Sequence, residues 1–220
     1  MEEFVQGEEY SCDFIIDGDR LQIVRIARKV PLRNTCFGTT LAYQLCPQLP
    51  EPLNLTDFHS QLWEAANVMG LDRAICMLDF IVTDKDAVMI EMTPRPGGDC
   101  IPPLLKQSAG FDMLSFAVRF AEGKQGEVPE LSEWKPYVGL RLLTAKEGVV
   151  ERFNTDALRY DQRVLNYHLK HNSGHTVVLP PNDYDSRVLG YVIFDPSRSG
   201  RIEPECLEIA DLLRIEWKEF

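Results

Sequence analysis

The chain has 220 residues, 45% of them hydrophobic, and a formal net charge of -11 at pH 7. That is enough apolar sequence for one large domain or two small ones. The acidic balance argues against nucleic acid as a partner, because phosphate binding needs a basic surface, and no stretch approaches the ~18 apolar residues of a membrane span.

The opening segment, "MEEFVQGEEY", is acidic where a signal peptide would be basic and then apolar. It runs almost at once into strand-like sequence, as though a larger protein had been divided there. Strands are predicted over Tyr10 to Ile16 and Leu21 to Ala27, joined at Asp17 to Asp19 by the turn "DGD". A Pro-rich, irregular connection follows from Pro31 to Pro52. A helix is then predicted from Asp57 to Met69, capped by Thr56 or Asp57 and stopped by Gly70.

The segments "AICMLDFIV" and "AVMIEM" read as a second hairpin around "TDKD", and "PPLLKQSA" and "DMLSFAVRFAEG" as helices, the latter closed by Gly123. The polar stretch from Gly123 to Pro136 reads as a linker. Beyond it, "YVGLRLLTA", "GVVERF", "TVVLP" and "GYVIFD" read as short strands, and "EPECLEIADLLRIEWKEF" as one amphipathic helix. His168, His171 and His175 read as a surface helix and turn, since no acidic or Cys partner stands at zinc spacing. Cys12, Cys36, Cys46, Cys76, Cys100 and Cys206 show no CxxC pattern and several lie in apolar runs, which points to a reducing, cytoplasmic setting.

The stretch "MIEMTPRPGGD", Met89 to Asp99, carries the chemistry. A lone Glu91 in an apolar strand must be paired, because a buried unpartnered carboxylate costs several kcal/mol or more. If the second hairpin is symmetric about Lys85, Asp79 lies directly across from Glu91 and shares its face. Two carboxylates facing each other destabilise a sheet unless a cation lies between them, and magnesium suits one or two carboxylates together with substrate phosphates. Period two then carries Thr93 and Arg95 to the same side, while Gly97 and Gly98 let a ligand approach the main chain. Taken singly, Glu91 and Arg95 are ordinary surface residues; it is the set that reads as a site.

With these residues in place, residues 1–123 resemble the ATP-grasp superfamily, in particular its carboxylate–amine ligases, biotin carboxylases and carbamoyl-phosphate synthases. The resemblance rests on "MEEFVQGEEY", on "LDFIV" with "IEMTPRPGG", and on "SAGFDML". It implies an α+β fold: the second lobe of an ATP-grasp domain, an antiparallel sheet with packed helices, over 1–123. A linker at 124–136 and a small α+β, β-rich module at 137–220 would follow.

The resemblance implies ATP and Mg²⁺ or Mn²⁺ as cofactors. It places Glu2, Glu3 and Val5 along the adenine hinge, Glu9 on the ribose and Ile81 under the purine. Asp79 and Glu91 would bind the metal, with Thr93 a weaker contributor. Arg95 would act on the transferring phosphoryl group or acyl phosphate, Gly97 and Gly98 would form a substrate loop, and Arg28 or Lys29 would reach a phosphate.

This chain has Asp79 where the superfamily typically has Glu, and Thr93 where it typically has Asn. The superfamily's first nucleotide-grasping lobe precedes the hinge and has no counterpart here. The implied partners are therefore a nucleotide, a small carboxylate and a complementary lobe, in cis or from another chain, with a homodimer left open. Three readings stand at this point: the C-terminal part of an ATP-dependent ligase that is inactive as this isolated chain, a subunit of a split enzyme, or a degenerate, non-catalytic partner-binding module.

Overall fold

In the computed structural model, which describes residues 3–32, 39–124, 126–197 and 200–219, the chain divides into two compact units. The first comprises Met1–Lys29 and Gln44–Pro136, and the second Val30–Tyr43 and Tyr137–Phe220. The stretch read as a linker thus lies in the first unit, and the 30–43 segment in the second. Cys36 and Gln125 lie outside the described residues.

In the first unit, β1 (Glu8–Asp17) and β2 (Arg20–Pro31) form an antiparallel hairpin that turns at Gly18, whose φ of 62° suits a residue without a Cβ. Its register slips by one between Phe14↔Ile23 and Asp13↔Arg25, leaving Val24 as an extra residue in β2. The indole of buried Trp134 donates to the Val24 carbonyl at 2.8 Å, which anchors the end of the unit at that bulge. The segment read as irregular contains a further strand, β3 (Thr40–Leu45).

Helix α1 (Leu55–Val68) is capped by Asn54, two residues before Thr56 and three before Asp57, the expected caps. Asn54 accepts from Thr56 N at 2.8 Å and Asp57 N at 3.3 Å, satisfying two amides that have no partner within the helix. Strands β4 (Arg73–Val82) and β5 (Ala87–Thr93) follow, then α2 (Ile101–Ala109) and α3 (Met113–Ala121), the last capped by Asp112. The strand order is β5-β4-β1-β2. Side chains alternate along each strand, so Tyr10, Cys12, Phe14 and Ile16 of β1 join Leu78, Phe80 and Val82 of β4 in a core closed by Phe58, Leu62 and Ala66 of α1. The other face of the sheet is the polar one.

In the second unit, β6 (Val138–Leu143), β7 (Gly148–Asn154), α4 (Asp156–Tyr160), β8 (Val164–Leu169), β9 (Thr176–Val177), β10 (Val188–Phe194), α5 (Ile202–Ala210) and β11 (Arg214–Trp217) follow in order. The order β3-β6-β10-β8 and the small sheet β11-β7-β9 enclose a core with Ile202, Cys206 and Ile209 of α5. Two expectations are corrected here. The C-terminal run is not one helix: α5 ends at Ala210, and the period-two run Arg214-Ile-Glu-Trp pairs with β7. His168 lies in strand β8, not in a helix.

Among the described residues no helix is long and apolar enough to cross a membrane. The antiparallel pairings and the helices packed on them make the chain α+β.

Candidate functional site

The polar face of the first unit is a grid set by strand register. One row holds Thr93, Met77, Asp13 and Arg25, and the next holds Glu91, Asp79, Ser11 and Ala27. Beyond these, Ile81 lies opposite Glu9, which accepts from Lys29. Successive rows are about 6.6 Å apart at two residues per step, so the charged side chains of neighbouring rows can meet.

Asp79 and Glu91 are direct cross-strand partners, as expected, but the route to that pairing differs. The hairpin pairs Val82 with Ala87, Ile81 with Val88 and Phe80 with Met89. A bulge at Ile90 then shifts the register by one and brings Glu91 opposite Asp79. Without the bulge Asp79 would face Ile90.

The cation beside Asp79 is Lys29, whose Nζ donates to Asp79 Oδ2 at 3.0 Å and also to Glu9 Oε1. Burial acts to lower the pKa of this ammonium, but the hydrogen bond to Glu9 and the charges of Asp79 and Glu9 outweigh burial and raise it above 10.5. Arg28, its neighbour, alternates to the other face, where it pairs with Tyr10 in register and stands 3.5 Å from Glu8. Of the two, it is Lys29 that faces Asp79 and Glu9.

Arg95 is exposed and turns onto its own loop, donating to the Pro96 carbonyl at 2.9 Å. Among the described residues the buried Thr93 hydroxyl has no hydrogen-bond partner, an unusual state for a polar atom. Gly97 is buried and Gly98 exposed. Glu3 and Val5 lie in the segment before β1, and Glu2 lies outside the described residues.

Two residues escaped the sequence reading. Asp13 and Arg25 form a fully buried ion pair on this face, in the row beside Asp79 and Glu91. The signal was present: two opposite charges in apolar strands, at positions matched across the first hairpin once its bulge is allowed for.

Two carboxylates on facing positions, one neutralised by a lysine and the other exposed, fit a hard divalent cation held partly by the protein and partly by phosphate oxygens. The partnerless Thr93 hydroxyl adds a nearby oxygen donor. Among the described residues, no group of three or more His, Cys, Asp or Glu side chains forms a metal cage, so most of the coordination shell would come from the ligand.

No family model matches the chain. It is 24% identical to the D-alanine–D-alanine ligase of Ralstonia pickettii (strain 12J) over 145 residues, covering 61% of this chain and 43% of that protein. Its fold is similar to that of an L-amino acid ligase from Bacillus licheniformis (TM-score 0.75, 18% identity, 98% of this chain and 55% of that one). It is also similar to the biotin carboxylase domain of Hydrogenobacter thermophilus 2-oxoglutarate carboxylase, in complex with ADP, magnesium and bicarbonate (TM-score 0.65, 16% identity, 96% and 46%).

The fold is that of the ATP-grasp superfamily. The chain spans about half the length of the relatives it matches, 43% and 55% in the first two cases.

Proposed function

We propose that this chain is the magnesium-binding half of an ATP-dependent ligase that activates a carboxylate. In the reaction, a carboxylate oxygen attacks the γ-phosphorus of ATP, forming an acyl phosphate and ADP. An amine or similar nucleophile then attacks the carbonyl carbon and phosphate leaves. The observation that carries this reading is the direct pairing of Asp79 with Glu91 on the polar face.

In this reading Asp79 and Glu91 hold Mg²⁺ or Mn²⁺, which when bound neutralises phosphate charge. Lys29 moves from Asp79 toward a phosphate, and Arg95 swings from Pro96 toward the reacting group. Glu3 and Val5 line the adenine, Glu9 meets the ribose and Ile81 supports the purine. Such chemistry relies on positioning and charge neutralisation, without a covalent nucleophile. The complementary lobe would come in cis or from another chain. A cytoplasmic setting is part of the same proposal.

A second reading, a non-catalytic partner-binding module, draws on Lys29, which already satisfies the carboxylate a metal would need. The deciding experiment is ATP cleavage across a panel of amino acids and other carboxylates, with the complementary lobe supplied. Cleavage that depends on one acid supports the ligase. A folded, lobe-bound protein that cleaves no ATP with any acid supports the second reading.

A further inference from the structure

Beneath the loop that carries Arg95 lies an ion pair that the proposed chemistry does not use. Asp13 and Arg25 have 0% and 1% of their side chains exposed. They meet as a fork: Arg25 Nε donates to Asp13 Oδ2 at 3.0 Å and Nη2 to Oδ1 at 2.9 Å. Arg25 Nη1 donates to the Ser11 carbonyl at 2.9 Å and to Ser11 Oγ, which fixes the guanidinium plane.

A buried ion pair is weak evidence of stabilisation, since well-packed apolar replacements are often neutral or better. What this pair does that an apolar pair cannot is hold a distant backbone group. Asp13 Oδ1 accepts from the Gly97 N–H at 3.0 Å. Within 94–97 the two prolines have no N–H, and Arg95 N turns to Thr93 O at 2.8 Å, so Gly97 supplies the amide that ties this stretch to β1. The fit is close: a Cβ at Gly97 would meet Arg25 Nη2 at 2.6 Å and the Asp13 oxygens at 3.0 and 3.1 Å.

We infer that the Asp13–Arg25 pair is a positioning element that clamps the Pro94–Asp99 loop to the sheet at Gly97, and so sets where Arg95 stands relative to Asp79 and Glu91. The use made of Arg95 rests on the ligase reading; the clamp does not. The loop leaves β5 at Thr93, in the same row as Asp13 and Arg25, and turns back over that row. A fixed charge in the floor therefore orders a loop whose two prolines bring no N–H.

Amide hydrogen exchange on the 220-residue chain tests this, with urea unfolding alongside. The double variant Asp13→Leu with Arg25→Met is expected to keep a urea midpoint near that of the wild type. Exchange in the peptide covering 94–99 should rise about 10- to 100-fold, the loss of one hydrogen bond to a charged group, while β1 and β2 stay protected. Asp13→Asn with Arg25→Gln returns an acceptor to Gly97 and should recover most of the protection, which bulk packing alone would not do. Gly97→Ala should loosen the loop with the ion pair intact, and it decides the matter if the apolar double variant does not fold. Wild-type loop exchange in either loosening variant, or a rise in β1 and β2 equal to that in the loop, overturns the clamp. Because exchange is read without substrate, absence of ATP cleavage would count against the ligase alone.

Discussion

Lys29 Nζ stands 3.0 Å from Asp79 Oδ2 while also donating to Glu9, so one ammonium serves two carboxylates of the polar face. A divalent cation bound at Asp79 and Glu91 must compete with it. Lys29→Met should therefore have two opposed effects. It leaves Glu9 and Asp79 facing each other uncompensated, and because both are partly exposed, at 43% and 23%, the loss should be about 1–2 kcal/mol, below that of a fully buried pair. It also removes the competitor, so magnesium should stabilise the variant more than the wild type, by up to about 2.7 kcal/mol at a hundredfold excess over Kd. Urea unfolding with and without magnesium chloride checks both, and equal magnesium effects in the two proteins would contradict the competition.

Gly7 lies against the end of β4, where an added Cβ would meet the Val82 carbonyl oxygen and stand 2.6 Å from Ile81 Cγ2. Backbone cannot yield there as a flexible side chain could. Gly7→Ala should displace the 3–7 segment together with Ile81, at about 2 kcal/mol, or roughly 4–8 °C in Tm for a chain of this size. Thermal unfolding reads the shift. A wild-type Tm would mean that the segment before β1 moves aside without loss.

Much of the first unit was legible because period two and period 3.6 are local signals: Phe14 and Ile16 on one face of β1, and Phe58, Leu62 and Ala66 on one face of α1, needed no tertiary knowledge. What escaped depends on single residues. A bulge at Ile90 or Val24 looks like any β-branched residue in an apolar run, yet each shifts its hairpin by one. Without the Val24 bulge the register of the first hairpin would set Asp13 against Val24, so an unbulged pairing hides the ion pair with Arg25. A turn centred on Lys85 is half a residue from the actual centre, and the Ile90 bulge compensates, so Asp79 still faces Glu91. The contacts of Lys29 with Asp79 and of Gly97 with Asp13 span 50 and 84 residues, and no local pattern announces either. At the other end of the chain, four residues of period-two alternation in Arg214–Trp217 were too short to stand out from the helix before them.

His171 and His175 stack face to face with ring centroids 3.6 Å apart and planes 4° from parallel. Burial first, then the neighbouring His175 and Lys170, hold the His171 pKa below its ordinary value of 6.5, partly offset by Asp185. The unfolded chain therefore binds this proton more readily than the folded one. The contribution of His171 is fully present above pH 6.5 and is lost as the pH falls from there through the folded value. Stability measured by urea between pH 7.5 and pH 5 should decline toward acid, and His171→Gln should flatten the slope. A variant with the wild-type slope would show that other groups set it.

Glu91 lies in β5 and Arg95 four residues on, in the loop that follows, yet the ligase reading gives them separable signatures. Arg95 donates to the Pro96 carbonyl and is exposed, so its contact within the loop is not one with a ground-state phosphate. If it bears on charge that develops during phosphoryl transfer, Arg95→Ala should lower kcat much more than it weakens ATP binding, because only contacts stronger in the transition state accelerate the step. The expected loss is about 10²–10³ in rate, or roughly 3–4 kcal/mol. Glu91 stands opposite Asp79, and if it holds the metal, Glu91→Gln should weaken magnesium and nucleotide together, raising the KM for both. Steady-state ATP cleavage at varied magnesium and nucleotide, with the acid substrate and complementary lobe present, separates the two. Arg95→Ala that raises only the KM for ATP would make Arg95 a nucleotide-binding residue, and Glu91→Gln with unchanged magnesium dependence would remove Glu91 from the metal site.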